Sequence, residues 1–316
     1  MSVASNNQAN PKIAVLEPEH FSEKAREILL SRFSVEDFYG TPIADAEVLI
    51  GGLEHRLDMG FLQGFSSVKT ICTLTTGKNH VDFDYLQQRN VRLISLRDIQ
   101  DAILTVSSTA ELSLSLILNV GRRISQSSRA VAVDGRWNRM DFFTSELRGQ
   151  TLGIIGFGRI GHKVASMAQA LGMTVLAYDH EASVPLELRA HSLEEVLLGS
   201  EVISLHADFR GSVILGEKEI EICKTGAAIV NTARGELVDE EAVCSALTRG
   251  ALSGYAADVL TGENRENWDI ASDPLVRLSR EGLNVLLTPH IGGCTREAFE
   301  TTQIAMARHA TTIELD

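Results

Sequence analysis

Positive charge is in short supply: 29 Lys and Arg stand against 42 Asp and Glu, a formal charge of −13 over 316 residues. That balance argues against nucleic acid or an anionic membrane surface as a general partner. One local exception, Arg122, Arg123, Arg129, Arg136 and Arg139, is spread along polar, helical sequence. It reads as a solvated or subunit-facing surface. Cysteine is also sparse. Cys72, Cys223, Cys244 and Cys294 contain no C-x-x-C pair and no zinc-ligand spacing, so a reducing cytosol is expected and a metal site is not. No run of about 18 apolar residues is present to span a bilayer. The first residues, MSVASNNQANPK, lack the charged start and apolar core of a signal peptide, and a cytoplasmic location is expected. There is no internal repeat and no low-complexity tract. With 44% hydrophobic and 22% charged residues, the chain reads as a globular protein long enough for two domains.

The most informative stretch runs from Thr151 to Asp179, TLGIIGFGRIGHKVASMAQALGMTVLAYD. A short apolar run, Leu152 to Ile155, suits a buried parallel strand. Gly156, Gly158 and Gly161 follow at the spacing G-x-G-x-x-G. Val164, Ala165, Met167, Ala168 and Leu171 recur at helical spacing, and Gly172 sits where that helix should stop. A second apolar strand, Met173 to Tyr178, ends on Asp179. Gly156 permits a tight strand-to-helix turn, Gly158 lets the backbone approach a pyrophosphate, and Gly161 lets helix and strand pack closely. The unpaired N–H groups at the start of the helix, at Arg159 and Ile160, then face phosphate. A carboxylate at the tip of the second strand accepts ribose hydroxyls and repels a 2′-phosphate. The stretch is therefore a dinucleotide site that favours NAD over NADP.

Strands and helices alternate on both sides of this stretch. Before it, strands are expected at Lys12–Leu16, Ala46–Ile50, Val68–Leu74 and Val91–Leu96, with helices at Ser22–Phe33 and Val81–Gln88. This implies a small parallel sheet, with the polar loop after Leu74 at the ligand-binding ends of its strands. Residues 1 to about 11 are polar and read as disordered. Arg97 to Ser108 reads as polar and broken. A long helix then runs from Thr109 to Arg123, and helical character continues from Ser125 to Asn138. This arm serves either dimerisation or packing on its own domain. After Asp179, strands are expected at Val202–His206, Ala227–Asn231, Ser253–Val259 and Asn284–Thr288, and a closing helix from Thr295 to Ile313.

Four motifs in this order carry a family resemblance: Gly156-Phe157-Gly158-Arg159-Ile160-Gly161 with Asp179, Asn231-Thr232-Ala233-Arg234-Gly235, Tyr255-Ala256-Ala257-Asp258-Val259, and Thr288-Pro289-His290-Ile291-Gly292-Gly293. Over about Val68 to Ala298 the chain resembles the D-isomer-specific 2-hydroxyacid dehydrogenases, the D-lactate and D-3-phosphoglycerate dehydrogenase group. The resemblance implies an α/β fold with a Rossmann NAD-binding domain and a smaller flavodoxin-like substrate domain, both doubly wound parallel sheets. The expected division is 1–108 for the first part of the substrate domain, 109–292 for the NAD-binding domain, and 293–316 for a helix returning to the substrate domain. The family's extra regulatory domain is not expected.

The resemblance also implies roles. The catalytic trio carries over to Arg234, Glu263 and His290. Reduction of a 2-keto acid leaves negative charge on the carbonyl oxygen, which an imidazole can quench with a proton. Glu263 would hold that imidazole, although Glu266 and Asp269 lie close in sequence. The Arg234 fork matches a carboxylate and the adjacent keto oxygen. Cofactor contacts are expected from Thr109, Gly156, Gly158, Arg159, Ile160, Gly161, Asp179, His206, Thr232, Ala233, Arg234, Asp258, His290, Gly292 and Gly293. The backbone of Thr76, Gly77 and Lys78, with Arg234 and His290, would bind the substrate. The family usually has a proline two residues after His206, where this chain has Asp208. Two segments look longer than in simpler members, Arg97–Ala102 and Gly262–Ser272, the second containing Trp268.

The activity expected is NAD-dependent interconversion of a D-2-hydroxy acid and its 2-keto acid, by a homodimer. Formate dehydrogenases, with Gln in place of Glu263, and phosphite dehydrogenases, with Lys in place of Thr76, are disfavoured. A second class stays open. The C-terminal-binding-protein corepressors resemble this family and retain its trio, so an NAD(H)-sensing scaffold with little turnover is the alternative.

Overall fold

The computed structural model describes residues 10–181, 184–263, 265 and 268–315. They form two compact units, 1–106 with 295–316, and 107–294. The divisions expected at 108/109 and 292/293 each lie two residues from these.

In the first unit, strands β1 (Lys12–Val15), β2 (Ser34–Asp37), β3 (Val48–Gly51), β4 (Thr70–Thr73) and β5 (Arg92–Ser95) form one parallel sheet in the order β2-β1-β3-β4-β5. This is the flavodoxin-like order. Helices α1 (Glu23–Leu30), α2 (Met59–Leu62) and α3 (Phe83–Gln88) begin at Ser22, Asp58 and Asp82. Each of these caps accepts an N–H three residues on, which explains why the helices start there. Strand β3 and strand β4 are buried throughout, as their apolar runs require.

Strand β2 and helix α2 are not legible in the sequence. β2, Ser-Val-Glu-Asp, pairs with β1 alone at the sheet's edge and is no more than half-buried, so no apolar run marks it. The polar segment after β5 is also more ordered than expected. Leu96–Ile103 winds as 3₁₀ turns, kinked at Ile99 and anchored by Asp98, which accepts both the backbone N–H and the hydroxyl of Ser95.

The second unit opens with α4 (Ser108–Arg122) and α5 (Ile124–Ala132), joined at Arg123 in the left-handed conformation. It continues as β6 (Thr151–Ile155), α6 (Arg159–Ala170), β7 (Thr174–Tyr178), α7 (Leu193–Gly199), β8 (Val202–Leu205), α8 (Glu217–Glu221), β9 (Ala227–Asn231), α9 (Glu240–Thr248), β10 (Leu252–Ala257), α10 (Pro274–Arg280) and β11 (Val285–Leu287). Its parallel strands lie in the order β7-β6-β8-β9-β10-β11. Alternate residues of one strand enter opposite cores. Ile229 packs with Val196, Leu205 and Tyr255, while Ala228 and Val230 pack with Ile154, Val164 and Val175. A strand buried on both faces needs a continuous apolar run, and β9 has one.

The last helix, α11 (Arg296–Ala310), belongs to the first unit and packs along α1. Gln303 ties the two helices at their ends. Its amide oxygen accepts the Ser22 N–H at 2.7 Å and its amide nitrogen donates to the His20 carbonyl at 3.0 Å.

Candidate active site

Strand order in the second unit reverses between β6 and β8, and ligands of such sheets gather at that point, beyond the carboxyl ends of the strands. The glycine motif follows β6. Gly156 has φ +95°, and a Cβ there would lie 2.6 Å from the backbone of His206 and Ala207, just beyond β8. Only glycine satisfies both conditions. A Cβ on Gly161 would meet the Gly156 carbonyl at 2.1 Å, whereas one on Gly158 would meet nothing within 4 Å. The motif therefore leaves bare, open backbone at the start of α6, where no side chain caps the helix. Helix N-termini of this kind attract phosphate.

Asp179 follows β7. Its carboxylate accepts the N–H of Phe157 at 2.7 Å and of Glu181 at 2.8 Å, one on each oxygen. These features fit the adenosine ribose and pyrophosphate of a dinucleotide. One neighbour had no signal in the sequence. Arg210 comes from the loop after β8 and pairs with Glu181, its Nη2 lying 2.6 Å from Oε2. The cation that a 2′-phosphate would need is thus present but already engaged.

His206 sits directly after β8. Its Nε2 lies 2.9 Å from the Ser204 hydroxyl, and burial lowers the imidazole pKa to about 3. The ring is held neutral. Thr232, after β9, is buried and paired with Ser113 of α4 at 2.7 Å, and the Ser113 hydroxyl donates in turn to the Thr109 carbonyl. The Thr109 hydroxyl donates to the Gly292 carbonyl at 3.1 Å. The first two turns of α4 thus fasten the loops after β9 and β11.

Arg234 is positioned by a residue the sequence reading did not single out. Asn231, fully buried at the end of β9, accepts the Ala233 N–H at 3.0 Å and donates to the Arg234 carbonyl at 2.8 Å. This is the turn that asparagine side chains form with their own backbone. A Cβ at Gly235 would lie 2.1 Å from the backbone of Leu260, so the arginine loop presses against the chain leaving β10. That chain carries Asp258 and Glu263.

His290 follows β11 in the left-handed conformation, φ +54°. Its N–H donates to the carbonyls of Asp258 and Thr288, at 2.9 and 3.0 Å. Its Nδ1 lies 3.0 Å from Glu263 Oε1, and the side chains are 32% and 15% exposed respectively. A carboxylate only accepts, so Nδ1 carries the hydrogen and Nε2 is the reactive edge. Glu263 is fixed by the Leu260 N–H at 3.3 Å, and Glu240 of α9 accepts the adjacent Thr261 N–H at 2.9 Å. Of its sequence neighbours, Asp269 instead accepts the Ala271 N–H, and Glu266 lies outside the described residues. Trp268 packs over Gly262, its indole 2.3 Å from where a Cβ would be, and against the apolar core of the second unit.

Asp258 has a more internal place than a cofactor contact. It is 2% exposed, and its carboxylate accepts the Thr288 hydroxyl and the N–H groups of Ile291 and Gly292. Gly292 is tightly enclosed, since a Cβ would lie 3.0 Å from that carboxylate, while Gly293 is open.

In the first unit, the loop after β4 presents Thr76, Gly77 and Lys78. Its carbonyls are engaged: Thr75 O accepts Leu96 N–H, Gly77 O accepts the Thr75 hydroxyl and Lys78 O accepts Val81 N–H. Among the described residues no acceptor takes the N–H groups of Thr76, Gly77 and Lys78. Three successive free amides suit an anion.

Comparison with known proteins gives a consistent result. The family description "D-isomer specific 2-hydroxyacid dehydrogenase, NAD binding domain" matches residues 114–292. The D-3-phosphoglycerate dehydrogenase of Escherichia coli (strain K12) is 37% identical over 235 residues, 73% of this chain and 55% of that protein. The chain thus spans about half the length of the curated relatives it matches first. The glyoxylate reductase of Thermococcus litoralis is 31% identical over 271 residues, 82% of this chain and 77% of the reductase. Among solved structures, D-lactate dehydrogenase from Aquifex aeolicus, complexed with NAD and lactic acid, superposes with a TM-score of 0.79 at 26% identity, over 95% of this chain and 94% of that one.

Proposed function

Because the chain belongs to the D-isomer-specific 2-hydroxyacid dehydrogenase family, we propose that it interconverts a D-2-hydroxy acid and its 2-keto acid, with NAD as the cofactor. The observation that carries this reading is the Glu263–His290 pair, 3.0 Å apart on the loops after β10 and β11. It leaves Nε2 of the imidazole free for proton transfer. Bound NAD supplies a hydride acceptor, and its reduced form a hydride donor.

In the oxidative direction the C2–H bond of the hydroxy acid breaks with loss of hydride, and the hydroxyl proton passes to His290 Nε2. In the reductive direction the same nitrogen returns that proton to the oxygen at C2. Glu263 stabilises the imidazolium formed in between and fixes the ring's orientation. Arg234, whose guanidinium donates to the Ala233 carbonyl in this structure, brings the positive charge that suits the substrate carboxylate and the oxygen that gains charge. In the first unit, the amides of Thr76, Gly77 and Lys78 are the donors that suit a carboxylate. His206, kept neutral, lines the cofactor site without adding charge.

Preference for NAD over NADP rests on Asp179, and on Arg210 being held by Glu181. Self-association as a homodimer rests on the arm after α4. Val133, Trp137 and Phe143 lie there with 72%, 89% and 80% of their surface exposed, a density of apolar side chains that suits an interface.

The test is NADH consumption against 2-keto acids that differ in side-chain size and charge, with His290→Ala as the blank. Turnover that prefers one side chain supports the dehydrogenase and names its substrate class. Tight NADH binding with no acid reduced overturns it in favour of a dinucleotide-sensing scaffold.

A further inference from the structure

The loop Thr76–Lys78 is held from behind by a chain of hydrogen bonds that leads to a buried histidine. His80 Nε2 lies 3.2 Å from Thr73 Oγ1, which lies 2.9 Å from Thr75 Oγ1, which donates to the Gly77 carbonyl at 2.6 Å. Each hydroxyl has one hydrogen, and this settles the direction of every bond. Thr75 spends its hydrogen on Gly77, so it accepts from Thr73. Thr73 then has none left for the imidazole, so His80 Nε2 must be the donor. His80 is 6% exposed and Thr73 fully buried, so water cannot readily replace a missing link.

We infer that His80 is a positioning residue for substrate binding: through Thr73 and Thr75 it fixes the Gly77–Lys78 peptide so that the Lys78 N–H faces the substrate's carboxylate. In a trans peptide the carbonyl and the next N–H point in opposite directions, and none of the described bonds is cis. Holding Gly77 O toward Thr75 therefore turns Lys78 N–H away from Thr75. The histidine is itself anchored, since the Leu57 N–H donates to its carbonyl at 2.8 Å and Leu57 pairs with Val81. The inference rests on the reading of this loop as the carboxylate site.

The experiment compares steady-state kinetics of the full-length wild type, His80→Leu, Thr75→Val, the double variant and His80→Gln. The substrate is the 2-keto acid that the wild type reduces best. Each single break should raise KM for the acid about tenfold, the worth of one well-directed hydrogen bond to a charged group. kcat should stay within about threefold, and the NADH dissociation constant should not move. The double variant should be no worse than the worse single one, because both cut the same chain. His80→Gln, which retains a donor, should recover most of the loss.

An unchanged KM in Thr75→Val, or losses that multiply in the double variant, overturns the proposal. A second measurement does not depend on activity or on a folded variant. The ¹⁵N spectrum of the wild-type imidazoles should place a hydrogen on His80 Nε2, and a ring with its only hydrogen on Nδ1 overturns the proposal. If the wild type reduces no 2-keto acid, the functional reading fails and the substrate role of His80 goes with it. Intact turnover with unmoved variants sinks the role of His80 alone.

Discussion

Asp258 reaches from the end of β10 to Thr288 at the end of β11 and accepts its hydroxyl at 2.6 Å. The same carboxylate takes the N–H groups of Ile291 and Gly292, at 2.8 and 2.7 Å. These bonds flank His290 on both sides and hold it at a φ of +54°, which a residue with a Cβ rarely adopts. Three donors on a buried carboxylate are worth several kcal/mol in all. Asp258→Asn turns one oxygen into a donor facing donors. Its kcat should fall at least tenfold while the NADH dissociation constant shifts less. Thr288→Val, which removes one of the three bonds, should be milder. Equal losses in the two variants would mean that the Thr288 bond alone holds the turn, and that the bonds to Ile291 and Gly292 add nothing.

The Glu263–His290 pair separates two contributions. His290→Ala removes the proton carrier and should abolish measurable turnover while NADH affinity stays within a few-fold. Glu263→Gln keeps an oxygen that can accept from Nδ1 but loses the charge that stabilises the imidazolium. A fall in kcat of about a hundredfold is expected, in the range of general acid–base contributions. Stopped-flow single-turnover kinetics checks both. Intact turnover in His290→Ala would remove His290 from the mechanism.

Much of the fold was legible in the sequence, for a physical reason. Strands buried on both faces need unbroken apolar runs, and the loops that follow them here carry glycines and charged residues with no other local purpose. Gly156 and Asp179 could be read that way, whereas Arg234 and His290 were singled out only by the order of motifs that resembles the family. β2 could not, because an edge strand of four half-buried residues needs no such run. The contacts of Glu240 and Arg210, and the positioning role of Asn231 within its motif, were invisible for a different reason. Each residue acts through a partner distant in the chain or through a backbone group, and sequence spacing carries no record of which groups meet. Asp258 belongs with them: its place in a motif pointed outward to a ligand, while its carboxylate serves the turn that carries His290.

Cofactor choice depends on two carboxylates. Asp179→Ala should weaken NAD binding and narrow its advantage over NADP. Adding Glu181→Ala should release Arg210, whose Nη2 now lies 2.6 Å from Glu181 Oε2, to meet a 2′-phosphate as a forked donor. The ratio of kcat/KM for the two cofactors should then fall a further tenfold or more. An unchanged ratio in the single variant would show that ribose recognition lies elsewhere.

The arm after α4 offers a test of assembly. Trp137 and Phe143 are 89% and 80% exposed on the same arm, a grouping of large aromatic side chains that suits burial against a second copy. The wild type should sediment as a dimer. Trp137→Asp combined with Phe143→Asp should sediment as a folded monomer, because both side chains would have to bury a charge at the interface. A monomeric wild type at micromolar concentration counts against the assignment of the arm.

The pH dependence of stability should report Glu240. Burial pushes its carboxyl up from 4.5 to about 7; the Thr261 N–H opposes that shift, while the nearby carboxylates of Asp273 and Glu236 add to it. The folded protein therefore binds this proton more tightly than the unfolded chain does. The resulting stability is fully present below the unfolded value of 4.5 and is lost as pH rises through about 7. Glu240→Gln keeps an oxygen to accept the Thr261 N–H and removes the titration. The variant should melt with the wild type near the low end of that window, and a few degrees above it past the high end, with the gap opening progressively across the window. Thermal melts by circular dichroism at several pH values decide it. A gap that is the same at every pH would mean that Glu240 binds its proton equally in the folded and unfolded chain, and that its hold on the loop before Glu263 carries no proton linkage.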